Sequence, residues 1–202
     1  MSGKDLRINR FFRKKKNPFI SALDHVMEYG DKPGIEDARN AIKNCLGIDA
    51  LLIPFFMLKR NWDFFVVNKA PVPVIRINWS SAFYYPLEYI RGFTRIASTV
   101  EEAIEAGGLG ADLIKNFYTG DIFHEVIENT PFPVFTIGAE KLNTDLEVLK
   151  KVYESVRQGA RGIIFGMNIF MAKDPAKLVK ALNDVINSDM KPEDACRAYN
   201  LK

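Results

Sequence analysis

The sequence predicts an α/β fold built from repeated βα units around a parallel sheet. Short apolar runs of strand length alternate with longer stretches in which apolar residues recur at helical spacing. The chain has 202 residues, of which 48% are hydrophobic and 26% charged, and it is therefore long enough for one sizeable core. Repeated βα units need right-handed crossovers, which give either a doubly wound sheet or a barrel.

We predict six strands, and each is an apolar run bounded by turn residues or polar residues. Nearly continuous apolar strands are typical of a parallel sheet that is covered on both faces. The runs comprise residues 19–23, 50–53, 74–79, 111–115, 133–137 and 162–166.

Helices are predicted between these strands. Apolar residues recur at helical spacing over residues 35–46, and a second helix over about residues 100–106 is capped by Ser98 with Glu101 three residues later, the spacing of a capping box. A third begins at 143–145 and ends at Gly159. The last long helix contains Leu178, Ala181, Leu182 and Val185, and Pro192 starts a short tail.

The domain organisation predicted is a basic N-terminal arm, residues 1–17, followed by a single domain, residues 18–202. Although the net charge is only +3, seven basic residues crowd the start of the chain. Such a segment can contact nucleic acid. We favour a solvated arm that Phe11, Phe12 and Phe19 pack onto the body, and nucleic-acid binding is the less favoured alternative. The basic residues are Lys4, Arg7, Arg10, Arg13, Lys14, Lys15 and Lys16.

Composition also indicates the cellular compartment and the state of the cysteines. No apolar run reaches the length of roughly 18 residues that a membrane helix needs, so we expect a soluble, cytoplasmic protein. Cys45 and Cys196 are expected to be reduced thiols, because two distant cysteines suggest neither a disulfide framework nor a metal cluster. We expect no metal and no organic cofactor.

Polar residues follow the predicted strands where each strand ends, and in parallel α/β folds these ends meet at one face. Lys115 lies near the end of an apolar strand. Burial lowers the pKa of a lysine, and a neutral amine can form a Schiff base with a ketone or aldehyde. The alternative is a lysine that extends from the strand end to water. The other polar positions at strand ends are 24–25, 78, 138–141 and 166–168.

Four segments carry motifs in a fixed order: residues 22–25 (Ala-Leu-Asp-His), 110–121 (Gly-Ala-Asp through Tyr-Thr-Gly-Asp), 138–145 (Gly-Ala-Glu-Lys, then Asn-Thr-Asp) and 166–170 (Gly-Met-Asn-Ile-Phe). Together they resemble the class I fructose-bisphosphate aldolase family of the archaeal type, which includes relatives that act on other phosphorylated sugars and on the autoinducer-2 signal. The resemblance implies a TIM-barrel-like (βα) fold with a Schiff-base lysine at Lys115 and an active-site aspartate at Asp24. It further implies a substrate-phosphate site in the glycine loops, at Gly138, Ala139, Lys141, Gly166 and Asn168.

The sequence also departs from this family. The barrel is expected to be truncated to about six strands, and by resemblance the gap lies between the helix after Ser98 and Gly110. The family's fourth and fifth strands, with its tyrosine proton donor, then have no counterpart. The loop that usually reads Gly-Gly-Pro-Lys is Gly-Ala-Glu-Lys at 138–141, and Met167 stands where the family has an arginine. A cationic phosphate ligand is therefore lost, and Glu140 opposes an anion.

Other candidates have two interpretations each. His25 is either a proton shuttle or a structural partner of Asp24. The tyrosines are replacement acids or packing residues, and an aromatic segment covers a pocket or an interface. His124 is expected at the surface. The tyrosines are Tyr84, Tyr85, Tyr89 and Tyr118, and the aromatic segment contains Phe55, Phe56, Trp62, Phe64 and Phe65.

We therefore predict a class I aldolase that acts on a small, possibly phosphorylated, ketone or aldehyde sugar. The alternative is a catalytically impaired aldolase-like protein that binds a sugar phosphate or a protein partner. We also expect a homo-oligomer, because a barrel short of two strands leaves unpaired sheet edges.

Overall fold

The computed structural model of the chain describes residues 12, 17–25, 32–66, 70–76, 96–97, 113–130 and 132–201. Several predictions fall outside these residues: the helix at about 100–106 with its cap Ser98, most of the basic arm, Asn78, and the tyrosines Tyr84, Tyr85 and Tyr89.

The strands form one parallel sheet with the order β3-β2-β1-β7-β6-β5-β4. The first strand pairs with the last, as it does when a βα sheet curls into a barrel. Within the described residues the hydrogen-bonded order ends at β3 on one side and at β4 on the other. The strands are β1 (Phe19–Ala22), β2 (Ala50–Pro54), β3 (Val72–Arg76), β4 (Ile96–Ala97), β5 (Ile114–Asn116), β6 (Val134–Ile137) and β7 (Gly162–Phe165).

All six predicted strands are present, and β4 is an additional strand of two residues that the sequence did not reveal. The prediction of a parallel, barrel-like sheet is confirmed, and the described residues contribute seven strands to it. The predicted gap before Gly110 lies outside the described residues. The register is continuous across β1, since Ile20 is level with both Ala50 of β2 and Ile164 of β7.

Helices cover one face of this sheet. They are α1 (Ala38–Asn44), α2 (Phe55–Arg60), α3 (Trp62–Phe65), α4 (Phe123–Glu128), α5 (Asp145–Arg157), α6 (Met167–Phe170), α7 (Pro175–Asn187) and α8 (Pro192–Ala198), with a 3₁₀ turn at Gly120–Ile122.

Local capping explains where the long helices begin. Thr144 accepts from the backbone of Glu147, and the Glu147 side chain bonds back, so α5 starts with a complete capping box. Asp174 caps α7, with Pro175 in the first turn. Pro192 likewise opens α8, so the segment predicted as a tail is a helix that packs on α5 and α7.

Strand residues alternate between two cores. Those that face the helices form the outer core with α1, α5 and α7, and complete burial of each large apolar side chain contributes about 1.5–3 kcal/mol. The outer core includes Phe19, Leu23, Leu51, Ile53, Ile163, Phe165, Leu149, Leu178 and Leu182. The opposite side of the sheet, the inner face, carries Ile20, Ala22, Ala50, Leu52, Phe135, Ile137 and Ile164.

Phe12 packs against the inner face from the N-terminal arm. Its ring lies 6.2 Å from the ring of Phe135, and the Arg161 guanidinium lies 5.5 Å from its centroid. The predicted packing of the arm through Phe12 is therefore observed, while Phe11 lies outside the described residues.

Candidate active site

Lys115 is the last but one residue of β5, and its side chain is half-buried on the inner face. Its neighbour Ile114 packs outward with Phe123 and Val126 beneath the helices. Because side chains alternate along a strand, Lys115 faces the other way. The register agrees, since Lys115 is level with Phe135, which belongs to the inner face.

Asp24 follows β1 by two residues and is only 6% exposed. The alternation of β1 continues beyond its end, because Leu23 packs into the outer core and its N–H donates to the Leu52 carbonyl at 2.8 Å. Asp24 therefore follows Ala22 on the inner face. The structure thus brings Asp24 and Lys115 to the same face of the sheet, both at carboxyl ends of strands.

His25 is fixed beside Asp24. Its Nδ1 lies 3.1 Å from the Ala22 carbonyl oxygen and 3.9 Å from Asp24 Oδ1. A carbonyl oxygen only accepts, so Nδ1 carries the hydrogen in the first contact. In the neutral ring, Nε2 is then the acceptor. This arrangement serves both the structural and the proton-shuttle interpretations of His25.

Gly166 makes room for this histidine. A Cβ on Gly166 would lie 2.1 Å from His25 Cε1 and 2.5 Å from the Ala22 carbonyl oxygen. The turn after β7 therefore touches the turn after β1, and only glycine permits that contact. The sequence analysis assigned Gly166 to phosphate binding and did not identify this packing role.

Asn168 is completely buried and braces the loop after β6. Its Oδ1 accepts from Leu142 N at 2.8 Å, and its Nδ2 donates to the carbonyls of Gly138 at 3.2 Å and Glu140 at 2.9 Å. The side chain of Asn168 is thus fully occupied with the backbone of residues 138–142, which we call the β6 loop. Within the loop, Lys141 Nζ donates to the Leu142 carbonyl at 2.8 Å.

Lys151 is a second residue that holds the β6 loop, and the sequence analysis missed it. Its Nζ donates to the Gly138 carbonyl at 3.2 Å, and burial lowers the pKa of this lysine although the charge of Glu140 acts in the opposite direction. Lys151 sits among the buried residues Val148, Val152 and Ser155 at helical spacing. A lysine on the apolar stripe of an amphipathic helix was the signal that could have revealed it.

Ala139 adopts a left-handed backbone conformation, with φ of 53°. The N–H groups of Ala139, Glu140 and Lys141 donate no hydrogen bond to any other residue that the structure describes. Consecutive N–H groups in a turn of this kind form a concavity suited to an anion. Glu140 is exposed at the same loop and adds a negative charge there.

Met167 opens α6 and lines a small cleft with His25, Lys32, Pro33, Ile35, Phe170 and Met171. The position where the resemblance implied an arginine therefore carries a thioether, and a histidine and a lysine border the same cleft.

Tyr118 lies on the helix side of the sheet, away from the inner face. Its ring stacks edge-on with Phe123 at 5.4 Å, and its hydroxyl bonds to Glu154 and Gln158 of α5. Burial and the nearby Glu154 raise the pKa of Tyr118. This placement favours the packing interpretation of Tyr118 over a role as a replacement acid. His124 is exposed, as expected.

Comparison with known proteins bears on these features. The DeoC/LacD family aldolase profile matches residues 91–172, a stretch that contains Lys115, the β6 loop, Gly166 and Asn168. Residues 91–172 therefore resemble the DeoC/LacD aldolases. A 3-hydroxy-5-phosphonooxypentane-2,4-dione thiolase of Salmonella paratyphi A is 35% identical over 96 residues, and that of Photorhabdus laumondii is 33% identical over the same length. Each match covers 48% of this chain and 32% of the relative, so this aldolase-like chain matches about a third of the relatives' length.

Two solved structures of fructose-1,6-bisphosphate aldolases have a similar fold at low sequence identity. An archaeal fructose 1,6-bisphosphate aldolase superposes with a TM-score of 0.73 at 18% identity, over 88% of this chain and 97% of that chain. A Schiff-base-forming fructose-1,6-bisphosphate aldolase gives 0.75 at 19% identity, over 88% and 98%. At such identities the similarity establishes the fold of the aldolase-like chain, a TIM-barrel-like arrangement.

No helix in the described part of the chain combines the length and the apolar character that a membrane crossing requires. Cys45 and Cys196 are both free thiols, and burial raises the pKa of Cys45 to about 12. Cys45 is therefore a packing residue of the outer core.

Proposed function

We propose that this protein is a class I aldolase that uses Lys115 to form a Schiff base with a small ketone or aldehyde. The observation that supports this most directly is the placement of Lys115 on the inner face of the sheet, half-buried, at the carboxyl end of β5. Asp24 lies on the same face and is nearly buried. A lysine and a carboxylate that share a water-poor face suit nucleophilic catalysis with assisted proton transfer.

The chemistry of each step follows from these two residues. The neutral amine of Lys115 attacks the carbonyl carbon, and water leaves to give an iminium. The bond between the α- and β-carbons then breaks as the β-hydroxyl loses its proton and becomes the carbonyl of the released fragment. The electron pair of the broken bond forms the C=C bond of an enamine while the C=N pair moves to nitrogen, and protonation followed by hydrolysis releases the second product. Asp24 orients the lysine and accepts or returns the proton at the substrate hydroxyl. The reverse sequence gives condensation.

We propose a substrate that carries a negatively charged group such as phosphate. Support comes from the β6 loop, whose N–H groups at 139–141 are suited to an anion, and from Gly166 and Asn168, which shape the neighbouring turn. The names of the relatives agree, since the thiolases act on a phosphorylated dione and the aldolases on fructose bisphosphate. Glu140 adds a negative charge to the site, and Met167 supplies no positive charge where the resemblance implies an arginine. We therefore expect weak binding of the anion.

A second candidate function is binding without turnover. Glu140 and Met167 favour it, because both weaken the anion site that a phosphorylated substrate needs. On this hypothesis the protein binds a sugar phosphate or a partner protein, and Lys115 is inherited without activity.

We also propose that the protein self-associates. Phe55 and Trp62 are 64% and 62% exposed, and β3, which ends the hydrogen-bonded order within the described residues, exposes Val72 and Val74. Exposed apolar side chains next to a strand edge favour association with a second copy.

Borohydride trapping distinguishes the two candidate functions. A panel of carbonyl compounds that includes dihydroxyacetone phosphate and pyruvate is incubated with the protein, then reduced, and the labelled peptides are identified by mass spectrometry. The aldolase proposal expects a label on Lys115 that is abolished in Lys115→Met, reduced in Asp24→Asn, and unchanged in Lys43→Met, an exposed lysine of α1. Labelling spread over surface lysines, or no label at all, would support the binding protein instead.

A further inference from the structure

The β6 loop is held from behind by two side chains of different elements. Asn168 of α6 donates to the carbonyls of Gly138 and Glu140, and Lys151 of α5 donates to the same Gly138 carbonyl at 3.2 Å. Gly138 packs closely against Asn168, because a Cβ at position 138 would lie 3.2 Å from both Asn168 Nδ2 and Phe165 Cγ.

These carbonyl contacts determine where the loop's N–H groups point. In a planar trans peptide the N–H of one residue is opposed to the carbonyl of the residue before it. The peptide bonds of the β6 loop are trans. Since the carbonyls of Gly138 and Glu140 point at Asn168, the N–H groups of Ala139 and Lys141 both point away from Asn168, to one side of the loop.

The loop conformation is one that the chain would not adopt unaided. A left-handed alanine costs about 1–2 kcal/mol relative to ordinary backbone, and such residues persist only where the surroundings determine them. The position of Lys151 also costs free energy, because its amine is half-buried on the apolar stripe of α5 and is desolvated there. Among the described residues, the hydrogen bond that this amine makes is to the loop.

We propose that Lys151 and Asn168 are positioning residues, which hold the β6 loop so that the N–H groups of Ala139 and Lys141 meet the anionic group of the substrate. This inference rests on the proposed function for the identity of the ligand. It assigns to Lys151 a role that the sequence motifs did not indicate, and it places the lysine behind the loop, where it does not touch the substrate.

Binding of inorganic phosphate tests the inference without any catalysis. The backbone amide resonances of residues 139–141 are followed by NMR during a phosphate titration of the full chain. We expect phosphate to shift these resonances, and Lys151→Met and Asn168→Asp to weaken phosphate binding about 10-fold, the effect of losing one hydrogen bond of a charged group. Lys151→Arg, which keeps a donor, should restore most of the affinity.

Two matched variants control for general destabilisation. Lys150→Met removes the adjacent lysine, which is exposed and pairs with Glu193 at 3.1 Å. Asn183→Asp alters a partly exposed amide that donates to the carbonyls of Gly47 and Val179 rather than to the loop. Both should bind phosphate as the unmodified protein does. Equal affinity in Lys151→Met and Lys150→Met, or no phosphate-induced shift in the unmodified protein, would overturn the inference.

A second readout separates this inference from the aldolase proposal. In borohydride trapping, Lys151→Met should raise the concentration of dihydroxyacetone phosphate needed to label Lys115, and leave that of dihydroxyacetone unchanged, because only the phosphate uses the loop. If both concentrations rise together, Lys151 is merely structural. If Lys115 is never labelled while phosphate binding depends on Lys151, the aldolase proposal fails and the positioning inference stands.

Discussion

A Cβ at position 166 would lie 2.1 Å from His25 Cε1. This contact couples the turn after the last strand to the turn after the first, where Asp24 lies. The Ala22 carbonyl oxygen, which accepts from the imidazole Nδ1 at 3.1 Å, lies 2.5 Å from the same Cβ position, so a side chain at 166 would meet both groups.

Gly166→Ala is therefore expected to displace His25 and, with it, Asp24. We expect a loss of about 1–3 kcal/mol in the free energy of unfolding, the usual cost of overpacking, and a reduced rate of borohydride labelling at Lys115. Chemical denaturation and peptide mass spectrometry measure the two effects. Gly120→Ala is the control, since Gly120 has a positive φ of 73° but no atom within 4 Å of its Cβ position. If Lys115 is labelled at the same rate in both variants, the contact between residue 166 and His25 does not affect the reactivity of Lys115.

Ala139→Gly should stabilise the protein. Glycine adopts φ of 53° without the Cβ penalty, and after its larger entropy loss on folding we expect a gain of about 0.5–1 kcal/mol, or a few degrees in Tm. Thermal unfolding measures it. Ala176→Gly, in the first turns of α7, should have the opposite sign because that alanine is helical. A destabilised Ala139→Gly would mean that the loop is not in the left-handed conformation.

Met167→Arg should strengthen the binding of phosphorylated carbonyls. An arginine at the start of α6 would supply a charged donor beside His25 and Lys32, and a charge-assisted hydrogen bond contributes about 1–3 kcal/mol. Titration calorimetry with dihydroxyacetone phosphate measures the change, and Met190→Arg, remote from the cleft, is the control. Tight binding by the unmodified protein with no change in Met167→Arg would show that this position lies outside the anion site.

Replacing the exposed aromatics should reduce self-association. We expect Phe55→Ser with Trp62→Ser to lower the molar mass found by light scattering at micromolar concentration, because the apolar surface beside β3 is removed. Leu46→Ser, which alters an apolar side chain that is 52% exposed elsewhere, should leave the mass unchanged. If light scattering finds the unmodified protein to be a monodisperse monomer, the proposed homo-oligomer is contradicted.

The parallel sheet could be predicted because its central strands are short, continuous apolar runs, as in residues 50–53 and 162–166. β4 could not, since two residues carry no periodicity. The helices α2 and α3 after β2 were also missed, because exposed aromatics such as Phe55 and Trp62 do not form the one-sided apolar stripe of a surface helix.

In the candidate site, Lys115 and Asp24 were predicted from motifs, and their positions at strand ends could be predicted because these follow from chain order. Asn168 was found for a different reason from the one the structure gives, since its contacts are with backbone carbonyls 28 and 30 residues away. Such contacts leave no local pattern in the sequence. Lys151 was missed because its role depends on the packing of α5 against the β6 loop.

The pairing of β1 with β7 has a consequence for how the chain folds. Phe19 and Ile163 are neighbours in the sheet but are separated by most of the chain. Closing so long a loop costs conformational entropy before the contacts between the two strands can offset it. Sheets whose paired strands are far apart in the sequence therefore fold slowly. During synthesis β1 leaves the ribosome early and remains without one of its two neighbours until residues 162–165 emerge. We therefore expect β1 and β7 to pair late in folding, and the rate of folding to depend on residues near the carboxyl end of the chain.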